Sequence, residues 1–158
     1  MKKYKTTMII TAILVGIVLA IFLVLNNQKS TSLKQSVSTV NSVTMPDGLE
    51  VKDVTVGRGA VAEVGDKVTV NYVGSFSNGN VFDASSNHSP NGFTFTLGAG
   101  EVIKGWDEGV LGMRVGGERK LIVPPSLAYG STGTPGGPIP PNATLYFDIT
   151  LLNVQKSH

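Results

Sequence analysis

The chain reads as an α+β protein: a sheet of several strands closed over by a single short helix. Three observations carry this. Five runs between residues 49 and 151 are β-rich, and most alternate apolar with other residues, the period of a half-buried strand. One stretch breaks that period, because Trp106, Val110 and Met113 recur at four and three residues and so share a helical face. Turn signals at Gly65-Asp66, Asn78-Gly79 and Gly116-Gly117 fall between the runs.

The order of the chain begins with a segment that is foreign to any such sheet. Met1 to Lys5 is a basic start, and Thr6 to Leu25 is uncharged and almost wholly apolar. Twenty helical residues rise about 30 Å, the thickness of a bilayer's hydrocarbon core. The run ends at Val24-Leu25-Asn26-Asn27-Gln28 with no Ala-x-Ala pattern, so an uncleaved signal anchor is favoured over a cleaved signal peptide. Lys2, Lys3 and Lys5, against Lys29 and Lys34 on the other flank, place the N-terminus in the cytoplasm and the rest of the chain outside it. Residues 26–45 follow; thirteen of the twenty are Ser, Thr, Asn or Gln, which predicts a flexible linker spanning about 25 Å.

The globular domain is expected from residue 46 to the end at 158, with its strands and helix between Pro46 and Lys156. Leu49 and Val51 alternate, then Val54 and Val56 take the opposite phase, which predicts a bulge or bend. Val68, Val70 and Tyr72 form a second strand, and Phe93, Phe95 and Leu97 a third. The helix is expected from Trp106, with Asp107 and Glu108 in its first turn where carboxylates suit the dipole, and Gly105 is read as letting the chain turn ahead of it. Arg119 to Val123 is a short strand, and Leu145, Phe147, Ile149 and Leu151 give the clearest alternation of all. Two Gly- and Pro-containing loops, Ala84 to Gly92 and Tyr129 to Pro141, stand apart from these elements.

Composition removes most chemistries. The net charge of +2 is misleading, since residues 1–45 carry five Lys and no acid whereas residues 46–158 carry eight Lys or Arg against eleven Asp or Glu. The domain therefore offers no basic stripe to nucleic acid. With no Cys, disulfides, thiolate metal sites and thiol catalysis are all excluded. His88 and His158 lie in a loop and at the terminus, so a triad or a His-rich metal site has nothing to build on, and no metal or cofactor is expected. What remains is a set of aromatic and aliphatic residues. Trp106, the only Trp, reads either as core, which is where large aromatics usually sit, or as the floor of an apolar pocket.

Six runs of this chain, in this order, resemble one family. They are Val70-Asn71-Tyr72-Val73-Gly74, Val81-Phe82-Asp83-Ala84-Ser85, Phe93-Thr94-Phe95-Thr96-Leu97-Gly98, Val102-Ile103-Lys104-Gly105-Trp106-Asp107-Glu108-Gly109, Pro124-Pro125-Ser126-Leu127-Ala128-Tyr129-Gly130, and Ile139-Pro140-Pro141-Asn142-Ala143-Thr144-Leu145-Tyr146-Phe147-Asp148. The chain resembles the macrolide-binding immunophilins, the FKBP-type peptidyl-prolyl cis-trans isomerases, over about residues 46 to 156. The resemblance implies a strongly twisted antiparallel sheet of about five strands wrapped around one short α-helix, with the active site between helix and sheet. It further implies that Tyr72, Phe82, Asp83, Ile103, Trp106, Tyr129 and Phe147 are catalytic, and that Phe93, Val102 and Ile139 bind substrate. Trp106 would then be the floor; Phe82, Phe93 and Phe147 the walls; the Ile103 N–H a donor to the carbonyl before proline; and Tyr129 and Asp83 the polar contacts. The partners implied are proline-containing polypeptides, with macrolide inhibitors in the same pocket, and a monomeric domain. The chain departs from the family in three places. The loop after Phe82-Asp83 offers only His88 where a basic partner for the Asp often stands. Thr134 replaces a His or aromatic, and Gly136-Gly137-Pro138 replaces a shorter aliphatic run.

The residues suit that chemistry on physical grounds as well. Rotation about an amide loses conjugation, a barrier of about 18–20 kcal/mol, and at X–Pro the two ends differ by only about 0.5–1 kcal/mol. No bond breaks, so neither nucleophile nor metal is needed. The planar amide is more dipolar than the twisted one, and an apolar pocket disfavours it relative to the transition state. Two other classes remain: a module that binds proline segments with little turnover, and a structural β-domain on a stalk. The short loop between Tyr129 and Ile139 favours a plain isomerase over the family's chaperone members, which often carry an inserted domain there.

Overall fold

The computed structural model describes residues 42–157. The expected anchor at 6–25 and most of the expected linker lie outside these residues. Among the described residues no helix is long and apolar enough to cross a membrane.

Seven strands and one helix make the domain: β1 (Ser42–Thr44), β2 (Glu50–Thr55), β3 (Lys67–Ser75), β4 (Val81–Ala84), β5 (Phe93–Thr96), α1 (Lys104–Gly109), β6 (Glu118–Val123) and β7 (Leu145–Gln155). The strands form one sheet in the order β1-β2-β6-β7-β3-β4, with β5 also on β3. Every pairing is antiparallel. β3 is the organising strand. One side pairs with β7 along its whole length, whereas the other pairs with β5 at Lys67–Val70 and with β4 at Val73–Ser75.

The expectation of about five strands is short by two. β4 has four residues around Phe82-Asp83, too few to show a period. β1 lies inside the stretch expected to be linker; Ser42–Thr44 pair with Lys52–Glu50, so the ordered domain starts at least four residues before Pro46. The phase change in β2 is a bulge, since the register against β6 shifts between Asp53 and Thr55 and leaves Val54 facing out. Arg119 of β6 stabilises it. Its guanidinium donates to both Asp53 carboxylate oxygens at 2.6 and 3.1 Å, and also to the carbonyls of Gly109, the last residue of α1, and Leu111 just beyond it.

α1 differs from its expected form at both ends. It begins at Lys104 and ends at Gly109, so Met113 lies beyond it. Trp106, Val110 and Met113 are nevertheless all buried, because the turn after the helix keeps their shared face inward. Gly105 does not turn the chain ahead of the helix; it is part of it. Gly105 and Gly109 lie one turn apart against β6, where a methyl on either would overlap Val123 or Leu121. The helix thus rests with bare backbone on the sheet. Asp107 holds its N-terminal approach by accepting the N–H groups of Gly98 and Gly100 at 2.8 and 3.1 Å.

The aliphatic part of the interior is Leu49, Val68, Val70, Leu97, Val110, Leu121, Val123, Leu145, Ile149 and Leu151, each at most 1% exposed. The C-terminal end of β7 is fixed by a buried carboxylate. Asp66 accepts Lys156 Nζ at 2.9 Å and the N–H groups of Glu63 and Ser157 at 2.9 and 3.1 Å.

Candidate active site

Beside this aliphatic interior, α1 meets the sheet through aromatic side chains. Trp106, from the first turn of α1, is 4% exposed and packs edge-on against Tyr72 of β3 at 4.9 Å and Phe147 of β7 at 5.3 Å between ring centroids. Phe93 and Phe95 of β5 reach it at 6.1 and 5.8 Å. Phe82 of β4 stands edge-on to Phe147 at 5.7 Å and leans on Phe76 at 5.0 Å. Room for these two walls comes from Gly74 of β3, where a Cβ would sit 2.7 Å from the Phe82 ring and 3.0 Å from that of Phe147. Rings in such contacts are rigid, with two torsions each, and hold a hollow open.

The hollow has a volume of about 190 Å³. It is lined by Tyr72, Phe82, Asp83, Phe93, Glu101, Val102, Ile103, Trp106, Tyr129 and Phe147. Nine of the ten residues expected at the site are therefore brought together. Ile139 is not; it is 6% exposed and tucked into the apolar interior. It is held by its own loop, its N–H donating to Thr134 Oγ1 at 3.0 Å and its carbonyl accepting the Thr134 N–H at 2.9 Å. Glu101 lines the hollow without having been expected there, and its only signal was its place just before Val102-Ile103. A larger recess of about 320 Å³ is lined by Lys52, Phe76, Lys120, Ile122, Tyr146 and Asp148; it shares Phe147 with the hollow but holds none of Tyr72, Phe82, Phe93 or Trp106.

The polar wall is a short network. Tyr72 Oη donates to Asp83 Oδ2 at 2.6 Å. Asp83 Oδ1 accepts the Ala84 N–H at 2.8 Å and faces His88 Nε2 at 2.8 Å. An ionised carboxylate only accepts, so His88 carries its proton on Nε2. The missing basic partner of Asp83 is thus supplied by His88, brought back by the 3-10 turn Ser85–Asn87. That turn is pinned in turn by Tyr72, whose backbone N–H donates to Ser85 Oγ at 3.1 Å.

Burial raises the Asp83 carboxyl, but the bonds from Tyr72, His88 and Ala84 outweigh it and leave the group below the ordinary carboxylate value. Burial first, and then the bond to Asp83 and its charge, push the Tyr72 phenol well above its usual value. Burial and the charge of Asp83 raise Tyr129 in the same direction. Glu101 is lowered chiefly by the Thr96 N–H, which donates to its carboxylate at 2.9 Å. At neutral pH the lining therefore holds two carboxylates and two phenols, all on the far side of their titrations. None is poised to carry a proton to or from a substrate.

Two further polar groups at the site stand without partners among the described residues. The Ile103 N–H, extended at the foot of α1, donates to no group among the described residues. Trp106 Nε1 is buried and likewise without a partner. Among the described residues no group of three His, Cys, Asp or Glu side chains could hold a metal ion.

Known proteins resemble this chain in sequence and in fold. The model of the FKBP-type peptidyl-prolyl cis-trans isomerase family matches residues 59–152. FK506-binding protein 3 of Yarrowia lipolytica is 52% identical over 108 residues, which is 68% of this chain and 26% of that one. FK506-binding protein 4 of Neurospora crassa is 51% identical over 77% of this chain and 25% of its own length. The chain thus spans about a quarter of the length of these curated relatives. Among solved structures, AtFKBP13 is 42% identical with a TM-score of 0.66, over 72% of this chain and 98% of that one. FkpA from Escherichia coli is 38% identical with a TM-score of 0.67, over 84% of this chain and 60% of that one. With a family model over more than half its length and the same sheet and helix in solved relatives, the chain belongs to the FKBP-type peptidyl-prolyl cis-trans isomerase family.

Proposed function

We propose that this protein catalyses cis-trans isomerisation of X–Pro bonds in polypeptides by excluding water from the amide and favouring its twisted form. One observation carries the reading: a hollow of about 190 Å³ walled by interlocked aromatic rings, with no lining group that titrates near neutrality. A proline ring enters against Trp106, and the walls strip water from the dipolar planar amide more than from the twisted one. The unpartnered Ile103 N–H receives the carbonyl before proline, and Tyr129 and the Tyr72–Asp83 pair orient the chain at the rim. Exchange spectroscopy on a short Ala-Leu-Pro-Phe peptide tests this. Addition of the protein speeds cis-trans exchange, and an uncatalysed rate at micromolar protein would refute the proposal.

The names of the curated relatives carry FK506 binding, and a macrolide of that class is proposed to compete for the same hollow. Competition is read as loss of the exchange rate on titration with the macrolide.

The domain is further proposed to work as a monomer at the outer face of a membrane, held by Thr6–Leu25 with the N-terminus inside. The support is the apolar run and the lysines of Met1–Lys5. Protease added to intact cells then removes the domain, and protection until lysis would place it in the cytoplasm. Sedimentation of the purified domain as a dimer would refute the monomer.

A further inference from the structure

α1 carries the floor of the hollow, Trp106, and at its foot the Ile103 N–H, whereas the walls Tyr72, Phe82, Phe93 and Phe147 stand on the sheet. The fit of floor to walls therefore depends on where a six-residue helix sits on β6. Its face towards β6 has no side chain at Gly105 or Gly109, so close approach is gained there without a knob that fixes the helix along the strand. Its far end also lacks the usual backbone closure. The N–H groups three and four residues beyond Gly109, those of Gly112 and Met113, donate to the carbonyls of Ala62 and Val110. The Gly109 carbonyl receives Arg119 Nη1 instead, at 2.8 Å, and the same nitrogen donates to the Leu111 carbonyl at 3.1 Å.

Arg119 is itself fixed. It stands opposite Asp53 in the register of β2 on β6, and its Nε and Nη2 form a fork on the two carboxylate oxygens. Its side chain is only 12% exposed, on the same face of β6 as the buried Leu121 two residues on. A guanidinium removed this far from water gains little net stability from its pair, and an apolar residue often serves as well. What an apolar residue lacks is a planar set of donors that ties two carbonyls and two carboxylate oxygens into one geometry.

We propose that Arg119, held by Asp53, is a positioning residue for the isomerase. It acts through the Gly109 and Leu111 carbonyls at the end of α1 and keeps Trp106 and the Ile103 N–H in register with the walls on the sheet. The inference rests on the isomerase reading and adds a residue that stands outside the lining of the hollow. The walls, which grip the substrate, do not depend on α1 for their place, whereas the fit to the twisted amide needs floor and walls together. Loss of Arg119 therefore lowers kcat more than it raises KM.

The test uses the full-length protein with three substitutions. Arg119→Met keeps the length of the side chain and loses its charge and donors, Arg119→Lys keeps the charge but not the fork, and Asp53→Asn leaves the Nη1 bonds in place. Exchange rates on Ala-Leu-Pro-Phe over a range of peptide concentrations give kcat and KM. The emission of Trp106, the only Trp of the chain, reports the floor. Arg119→Met should show kcat about 5-fold lower with KM within about two-fold of wild type, and a red-shifted, more readily quenched Trp106 emission. Arg119→Lys falls between it and wild type, and Asp53→Asn loses less than Arg119→Met. Leu145→Ala is the control for stability alone: it melts earlier but keeps kcat and the Trp106 emission. A folded Arg119→Met protein with wild-type kcat or wild-type emission overturns the proposal, as does a loss of kcat that Leu145→Ala reproduces. If Arg119→Met does not fold, Arg119→Lys is read in the same way; if neither folds, Arg119 serves folding and the proposal falls. Should the wild type leave exchange at its uncatalysed rate, the isomerase reading fails, and the Trp106 emission still decides whether Arg119 holds the floor.

Discussion

The interior has two kinds of filling, and they behave differently. In one part Leu49, Leu97, Leu121, Leu145, Ile149 and Leu151 close on one another until no more than 1% of any is exposed. In the other, Tyr72, Phe82, Phe93, Trp106 and Phe147 meet edge to face at 4.9–6.1 Å and stop there, with about 190 Å³ still open. Branched aliphatic chains interdigitate to crystal-like density. Rings braced against rings cannot fold into the space they border. The same sheet and helix thus yield a solid interior or a hollow one according to side-chain shape alone. Stability is expected to concentrate in the first, and the proposed function in the second.

The sharpest way to break this division is to cut each part separately. Leu145→Ala or Ile149→Ala should cost about 3–5 kcal/mol of stability in urea melts, while kcat/KM per folded molecule stays near wild type. Equal loss of rate would show that the solid part also sets the hollow's geometry. Phe82→Ala should do the opposite. Its ring is only half-buried, so stability falls less than for Leu145→Ala, whereas kcat/KM drops about 10-fold or more as water reaches the amide; a factor of ten is about 1.4 kcal/mol of transition-state stabilisation. Phe147→Ala, at 6% exposure, should lose both and so marks the border between the two parts.

Two carboxylates sharpen the comparison further. Asp66 belongs to the solid part, and its folded pKa is lowered, chiefly by the bond from Lys156. Its contribution is complete above the unfolded carboxylate value of about 3.9 and is lost as pH falls through the lower folded value. Urea melts between pH 6 and 2 should therefore steepen in their acid limb, and Asp66→Asn should flatten that limb. An unchanged limb would mean that Asp66 binds protons equally in both states. Asp83 belongs to the hollow. Asp83→Asn keeps an acceptor for Tyr72 Oη, so kcat/KM on an uncharged peptide should fall by no more than about 3-fold, or about 0.7 kcal/mol. On such peptides the rate should be nearly flat from pH 6 to 8. A steep bell, or an inactive but folded Asp83→Asn protein beside a fully active Phe82→Ala, would reveal a proton-transferring group.

How much was legible follows from periodicity and its limits. The five β-rich runs were found because an apolar face repeats at two residues and is buried where expected: Val68, Val70 and Tyr72, then Leu145, Phe147, Ile149 and Leu151. β1 and β4 were missed because three or four residues carry no period, and β1 looks polar since all three of its residues are exposed. Gly105 misled because a glycine is read from its backbone freedom, whereas here it serves by having no side chain against Val123. Apart from Trp106, which already read as a possible pocket floor, the nine expected residues among the ten that line the hollow were assigned to it by the resemblance, since they lie on four strands, on α1 and its approach, and in a loop. Ile139, expected at the site, is not among the lining residues: a motif fixes order along the chain but not whether a loop residue reaches the hollow. The pairing of His88 with Asp83 needs a turn whose path no pattern in Ala84 to Gly92 discloses.

The glycine seat of α1 also has a consequence for the order of events in folding. Six residues are about half the length at which an isolated helix becomes marginally stable, and Gly105 and Gly109 each cost it about 1 kcal/mol relative to alanine. The segment therefore has no helical structure of its own to contribute early; it becomes a helix only on docking against Val123 and Leu121, themselves placed by β6 on β7. Trp106 is thus brought to the site by the completed sheet. The floor of the hollow is therefore expected to form late and open early, with the amide protons of α1 exchanging faster than those of β7.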